Sequence, residues 1–168
     1  MDATGIEPGR DSPVALVAIT KGNLRDYLRL EVAPAQEGFV APNAVSIAQA
    51  HFHPEAWFRG IAAGGTAVGF AMLEDWSQCA EGAPEDWRRE PYVGLWRFMV
   101  DKRWQGHGFG AQAMRLLIDH ARAIHGTRAM LLSFVDAPGS PEAFYRRFGF
   151  ERTGEVIEGE HVMRLAFC

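Results

Sequence analysis

Between an apolar stretch and an amphipathic one, the chain reads Arg103-Trp104-Gln105-Gly106-His107-Gly108-Phe109-Gly110-Ala111. Glycines at alternate positions let a backbone turn tightly and approach a ligand with no side chain between them. The segment that follows has helical periodicity, so its unpaired N–H groups and positive dipole end would aim at the same point. Such a loop suits phosphate oxygens. Two common phosphate loops do not match. A nucleoside-triphosphate loop ends in Gly-Lys-Ser/Thr, whereas Gly110 is followed by Ala111 and Gln112. A dinucleotide loop is spaced GxGxxG after the first strand, with an acidic residue about twenty positions on. Here the spacing is GxGxG, two thirds of the way along the chain, and Arg128-Ala129-Met130 follows where the acid would stand.

The second segment with chemical content is Phe144-Tyr145-Arg146-Arg147-Phe148-Gly149-Phe150. A phenol with pKa near ~10 stays protonated at neutral pH and can supply a proton to a leaving group. No nucleophile elbow GxSxG competes with it. His51-x-His53 stands without Cys or carboxylates at ligand spacing, so no metal is expected. Cys79 and Cys168 fit neither a metal-ligand spacing nor a disulfide framework; reduced thiols in the cytoplasm are the expectation.

These residues need elements to hold them. Val14–Ile19 reads as a strand, and Asn23 as the cap of a helix running to about Glu31. A Pro- and Gly-containing loop follows over 32–43, then a helix over Ala44–Phe52. Trp57–Ala63 and Thr66–Leu73 flank Gly64-Gly65, a hairpin signal. Ser77–Pro91 is polar, holds two prolines and reads as a long loop. Tyr92–Val100 is a strand before the glycine loop. Phe109–His125 is a helix with Met114, Leu117, Ile118, Ala121 and Ile124 on one face and Arg115, Asp119 and Arg122 on the other. Arg128–Val135 is apolar almost throughout, as in a strand buried on both faces. Pro141–Phe148 is a short helix closed by Gly149, and 150–157 and 161–167 are strands around Glu158-Gly159.

With 168 residues, 48% hydrophobic and 23% charged, the chain is expected to be one domain over 1–168, with a frayed lead-in over 1–13. No apolar run is long enough to span a bilayer, and MDATGIEPGRDSP lacks the pattern of an export signal. A net charge of −4 argues against a nucleic-acid partner and is compatible with a cationic small molecule.

The order strand, Gln105-x-x-Gly108-x-Gly110, helix, strand, then Phe144–Phe150 resembles the GNAT acetyltransferase superfamily, over 55–168 by both motifs and over 14–54 by element order. The Leu95–Asp101 strand with Gln36–Asn43 upstream is similar to its bacterial diamine/spermidine acetyltransferase branch. The resemblance implies a mixed α/β domain. Its central sheet would have six to seven strands flanked by about four helices, with a V-shaped splay between two central strands. It also implies transfer of the acetyl group of acetyl-coenzyme A to a primary amine of a small molecule, such as a diamine or polyamine, by direct attack in a ternary complex. Aminoglycosides, amino acids and protein N-termini are alternative acceptors, and a non-catalytic coenzyme A-binding module is the alternative from another class. Family habit suggests a homodimer.

Carried onto this chain, the resemblance gives Tyr145 the role of proton donor to the departing thiolate. It gives the pyrophosphate to the backbone of Gln105, Gly106, His107, Gly108, Phe109, Gly110 and Ala111, with side-chain help from Arg103 and His107. The pantetheine arm falls to the backbone of Phe98, Met99 and Val100. Many relatives carry an Asn seven residues before the Tyr, where Pro138 stands here; Ser140 is the expected replacement. An alkyl amine of pKa about 10 is protonated roughly a thousandfold at pH 7, a cost of about 4 kcal/mol against the reactive free base. Relatives meet it with a carboxylate on the strand before the loop, but Leu95-Trp96-Arg97 offers none. Glu37, Glu74 and Asp75 are therefore the alternatives as base. Glu37, Phe39, Asn43, Glu74 and Trp96 are the expected acceptor-binding residues, combining negative charge with an aromatic wall.

Overall fold

The computed structural model describes residues 7–168. Seven strands form one sheet: β1 (Val14–Val17), β2 (Ala56–Ala63), β3 (Thr66–Glu74), β4 (Tyr92–Val100), β5 (Ala129–Val135), β6 (Glu151–Ile157) and β7 (Glu160–Ala166). Five α-helices accompany them among the described residues: α1 (Leu24–Leu28), α2 (Asn43–Ala50), α3 (Glu85–Arg89), α4 (Phe109–Ala123) and α5 (Glu142–Arg146). The spatial order is β1-β2-β3-β4-β5-β7-β6. All pairings are antiparallel except β4 with β5, whose crossover is α4. None of the described helices is long and apolar enough to cross a membrane.

Strand alternation divides the interior into two layers. Leu73, Val93 and Leu95 face α4, where Ala113, Met114, Leu117 and Ala121 form the buried stripe expected from its periodicity. Phe70, Met72 and Met99 face the other way, onto Tyr27 of α1 and Ile47 of α2. Gly64 and Gly65 have φ of 54° and 88°, the doubly left-handed backbone of a tight hairpin.

The feature that makes room for a ligand is the failure of β4 and β5 to stay together. They pair only from Tyr92–Ala129 to Leu95–Leu132. On its other edge β4 carries an irregularity opposite Met72 and Leu73: Leu73 faces Leu95 while Met72 faces Arg97. Trp96 is thus the extra residue of a bulge, and a bulge bends its strand. Beyond it the two strands diverge, forming the V-shaped opening.

Several expectations need correction. Arg128–Val135 is not buried on both faces along its length, because Ser133 and Val135 lie past the divergence and are exposed. Within 77–91, expected as a loop, Pro84 opens α3, whose first turn is acidic (Glu85, Asp86) and whose last is basic (Arg88, Arg89); this charge order suits the helix dipole. Asn23 does not cap α1. Its Oδ1 accepts from Thr20 N–H at 2.7 Å and its Nδ2 donates to the Ala18 carbonyl at 3.0 Å, so the side chain locks the preceding turn. The helix ends at Leu28, and the N–H of Glu31 turns to Asp101 instead. Of the lead-in, residues 1–6 lie outside the described residues. In 7–13, Pro8 is buried and Ser12 N–H closes a turn on the Gly9 carbonyl at 2.9 Å.

Candidate active site

The glycine loop and the first turn of α4 line one side of a cleft of about 690 Å³. Gly106 and Gly108 have φ of 77° and 86°, a region costly for residues with a Cβ. A Cβ on either would meet nothing within 4 Å, so both face open space. The N–H groups of Gln105 through Ala111 find no acceptor among the described residues; the first helical bond runs from Gln112 N–H to the Gly108 carbonyl. A run of free donors at the start of a 15-residue helix is suited to an anion. A carboxamide supports the loop from below: Gln105 Nε2 donates to the Val100 carbonyl at 2.9 Å and to Gln36 Oε1 at 2.8 Å.

Of the expected donor-side residues, Phe98, Met99, Val100, Gln105, Gly106, His107, Gly108, Gly110, Ala111 and Ser140 all line this cleft. Past Leu95 the β4 edge that would face β5 has no strand partner, although side chains already take two of the carbonyls there, Arg97 that of Trp96 and Gln105 that of Val100. Phe109 does not line the cleft; its ring is fully buried in the core beneath the loop. Arg103 is also elsewhere. Its Nε is 2.8 Å from Asp101 Oδ1, which also accepts from the Arg103 N–H at 2.9 Å, while Asp101 Oδ2 accepts from Glu31 N–H at 2.9 Å. Burial alone would raise the Asp101 carboxyl, but these donors hold it below the usual carboxylate range. His107 lines the cleft with its Nδ1–H directed at the carbonyls of Trp104 and Gln105, at 3.1 and 3.0 Å. Sequence reasoning missed Arg10 and Arg147, the two guanidinium groups lining the same cleft.

Tyr145 projects from α5 where the strands diverge. It is 8% exposed, with Phe144 and Phe150 packed edge-on at ring distances of 5.5 and 6.0 Å. Burial pushes its hydroxyl above the ordinary phenol pKa, so it stays a proton donor throughout the physiological range.

On the other side of the opening lies a second chamber of about 500 Å³. Phe39, Val40, Phe98, Pro141 and Tyr145 line both spaces and form the waist between them. Glu74, Asp86, Glu155, Glu158 and Glu160 also line the second chamber, against one cation, Arg97, whose guanidinium donates to the Trp96 carbonyl and Gln49 Oε1. Phe39, Glu74 and Trp96 are among the residues that line it. Asn43 is not. It is buried, with Nδ2 on the Tyr27 carbonyl at 2.8 Å, and it joins α2 to α1. Glu37 is exposed and lines neither space. Asp75 closes a turn by accepting from Ser77 N–H. Asp86, Glu155, Glu158 and Glu160 went unforeseen, since they come from α3 and the β6–β7 hairpin and converge only in three dimensions.

An anion-binding helix start, a splayed strand pair and a buried phenol at their junction define an acyl-coenzyme A-dependent transferase. The model of the Acetyltransferase (GNAT) family matches residues 23–150, and the chain belongs to that family. It is 29% identical over 154 residues to spermine/spermidine N(1)-acetyltransferase of Bacillus subtilis (strain 168), covering 89% of this chain and 96% of that one. The fold is shared with an acetyltransferase from Thermus thermophilus (TM-score 0.69, 15% identity, 92% and 97% of the two chains). It is shared also with aminoglycoside acetyltransferase AAC(6')-Ib, solved with coenzyme A (TM-score 0.67, 17% identity, 92% and 95%). The protein is an acetyl-coenzyme A-dependent N-acetyltransferase.

Proposed function

We propose that the acceptor is a primary amine of a small aliphatic diamine or polyamine, acetylated by direct attack in a ternary complex. The observation that carries this is the charge of the second chamber: five carboxylates against one guanidinium, around aromatic walls from Phe39, Tyr92, Trp96 and Phe134. A carboxylate-bearing acceptor such as an amino acid would be repelled there, whereas a chain of methylenes carrying ammonium groups matches both wall and charge. The spermine/spermidine specificity in the name of the B. subtilis relative agrees with this reading.

On the donor side, the free N–H groups of 105–111 would hold the pyrophosphate and the unpaired β4 edge the pantetheine arm, which brings the thioester to the waist. Tyr145 stands there and would give its proton to the sulfur as the carbon–sulfur bond breaks. No Ser or Cys nucleophile is needed, because the amine itself forms the new bond.

The test is thiol release from acetyl-coenzyme A with spermine, spermidine, putrescine, an aminoglycoside, an amino acid and a peptide N-terminus. The expected order places the polyamines first in kcat/KM. Preference for the amino acid or the peptide would refute the reading, and preference for the aminoglycoside would replace the acceptor with another polycation.

A further inference from the structure

Direct attack by an amine requires loss of a proton from an ammonium group, and the chamber offers five carboxylates to take it. Four are committed or poorly placed. Asp86 is exposed and accepts from the Tyr92 hydroxyl at 3.1 Å. Glu155 and Glu158 are exposed on the β6–β7 hairpin, and Glu160 accepts from the Ser133 hydroxyl. Glu74 differs. It is the last residue of β3, half-buried, and pairs in register with Gly94, one residue before β4 and β5 part. A Cβ built on Gly94 would lie 3.2 Å from Glu74 Cβ and 3.3 Å from its Oε2. The missing side chain is therefore what lets the carboxylate lie over β4. Trp76 Nε1 donates to Oε1 at 2.5 Å, which fixes the group and leaves Oε2 as the oxygen over β4.

We infer that Glu74 Oε2 accepts the proton of the acceptor ammonium, the carboxylate reaching across Gly94 from the neighbouring strand. This rests on the amine-acceptor reading above. The step balances. The ammonium nitrogen gives one proton to Glu74, and its freed electron pair forms the bond to the acetyl carbon. The carbon–sulfur pair leaves with sulfur, which takes the Tyr145 proton, and the second proton shed by nitrogen restores the phenol. Glu74 then returns its proton to water. Burial, foremost, pushes the Glu74 carboxyl up, while the Trp76 indole opposes the shift. Of the groups facing it, Glu55 before β2 and Asp86 on α3 add to the rise, and His53, whose Nδ1 is 2.8 Å from Glu55 Oε1, counters it. Tyr92 and Arg97 flank it on β4. A carboxylate whose pKa is moved toward neutrality is a better base than a free one.

The experiment measures kcat/KM for the best amine from pH 4 to 10 in the wild type, Glu74→Gln and Trp76→Phe, with acetyl-coenzyme A affinity determined for each. Glu74→Gln is expected to lose roughly 100-fold at pH 7 with donor affinity unchanged within about twofold. Its rate should climb with pH until the amine's own pKa near ~10, where the wild type has already levelled. Trp76→Phe removes the donor that favours the ionised form, so its acid limb should move to higher pH. A Glu74→Gln profile of wild-type shape, with only KM raised, would make Glu74 a binding carboxylate and overturn the inference. So would an unmoved limb in Trp76→Phe, which decides the matter if Glu74→Gln does not fold. Release with no amine by the wild type overturns the acceptor reading and this inference together, whereas turnover by the wild type with an unchanged Glu74→Gln profile overturns this inference alone.

Discussion

Gly108 and Gly126 offer a controlled test of the anion cradle. Both have φ of 86°, and a Cβ on either meets no atom within 4 Å. Alanine at each position therefore pays the same backbone strain, about 1–2 kcal/mol, and neither clashes with the protein. For a domain of this size that corresponds to a Tm loss of roughly 2–8 °C in both variants. Only Gly108 faces the cleft that receives the free N–H groups of the loop; Gly126 lies between α4 and β5 and lines neither chamber. A methyl at 108 would stand where a phosphate oxygen must come, and losing one charge-assisted hydrogen bond costs about 1.5–3 kcal/mol, or roughly 10- to 150-fold in Kd. Isothermal titration with coenzyme A, beside thermal melts of both variants, separates the two effects. Equal Tm losses with weakened binding only in Gly108→Ala are expected. Equal affinities in the two variants would refute the placement of the phosphate, however the melts turned out.

Two further perturbations act elsewhere. Tyr145→Phe keeps the ring packed between Phe144 and Phe150 and removes only the hydroxyl; kcat in the thiol-release assay should fall about 10²- to 10⁴-fold with coenzyme A affinity unchanged, and an unaltered kcat would remove this residue from the chemistry. Asp101→Asn weakens the acceptor of the Glu31 and Arg103 donors and should cost about 1–3 kcal/mol in urea unfolding. Because the native Asp101 carboxyl is held below its ordinary value, its contribution is fully present above the unfolded pKa near ~3.9 and fades as pH falls through the lower native value; the variant should lose that part of the acid dependence.

Most legible in the sequence is what lies close together along the chain. The Gly64-Gly65 hairpin, the buried stripe of α4 and the turn at Glu158-Gly159 are local patterns, and each formed within a residue or two of its expected bounds. The glycine loop was legible for the same reason, since nine consecutive residues carry it and the groups it leaves free are backbone N–H donors. Side-chain assignments fared worse. Arg103 and Asn43 have the right chemistry for a ligand, yet each satisfies a neighbour instead, the first at Asp101 and the second at the Tyr27 carbonyl. Nothing in a spacing reveals that competition, because the choice of partner is settled by how the chain packs. Helix α3 was hidden by its two flanking prolines, although its acid-to-base charge order was visible.

The second chamber shows the same limit from the other side. Its carboxylates come from β3, α3 and the β6–β7 hairpin, so no contiguous pattern announces them, and a fold shared with an aminoglycoside acetyltransferase does not choose among amines. The two chambers are nevertheless tied by a local device. Gln105, at the start of the glycine loop, bonds to Gln36, and Gln36 leads within four residues to Phe39 and Val40, which belong to the waist. The Lys102 N–H on the Glu31 carbonyl at 2.8 Å, and Asp101 on the Glu31 N–H, fasten the other end of the same segment. Phe39 and Val40 of the waist therefore hang from the glycine loop. Besides β4, which carries Phe98 of the waist straight into the loop, three hydrogen bonds and the Lys102–Glu31 ion pair join this segment to the loop region.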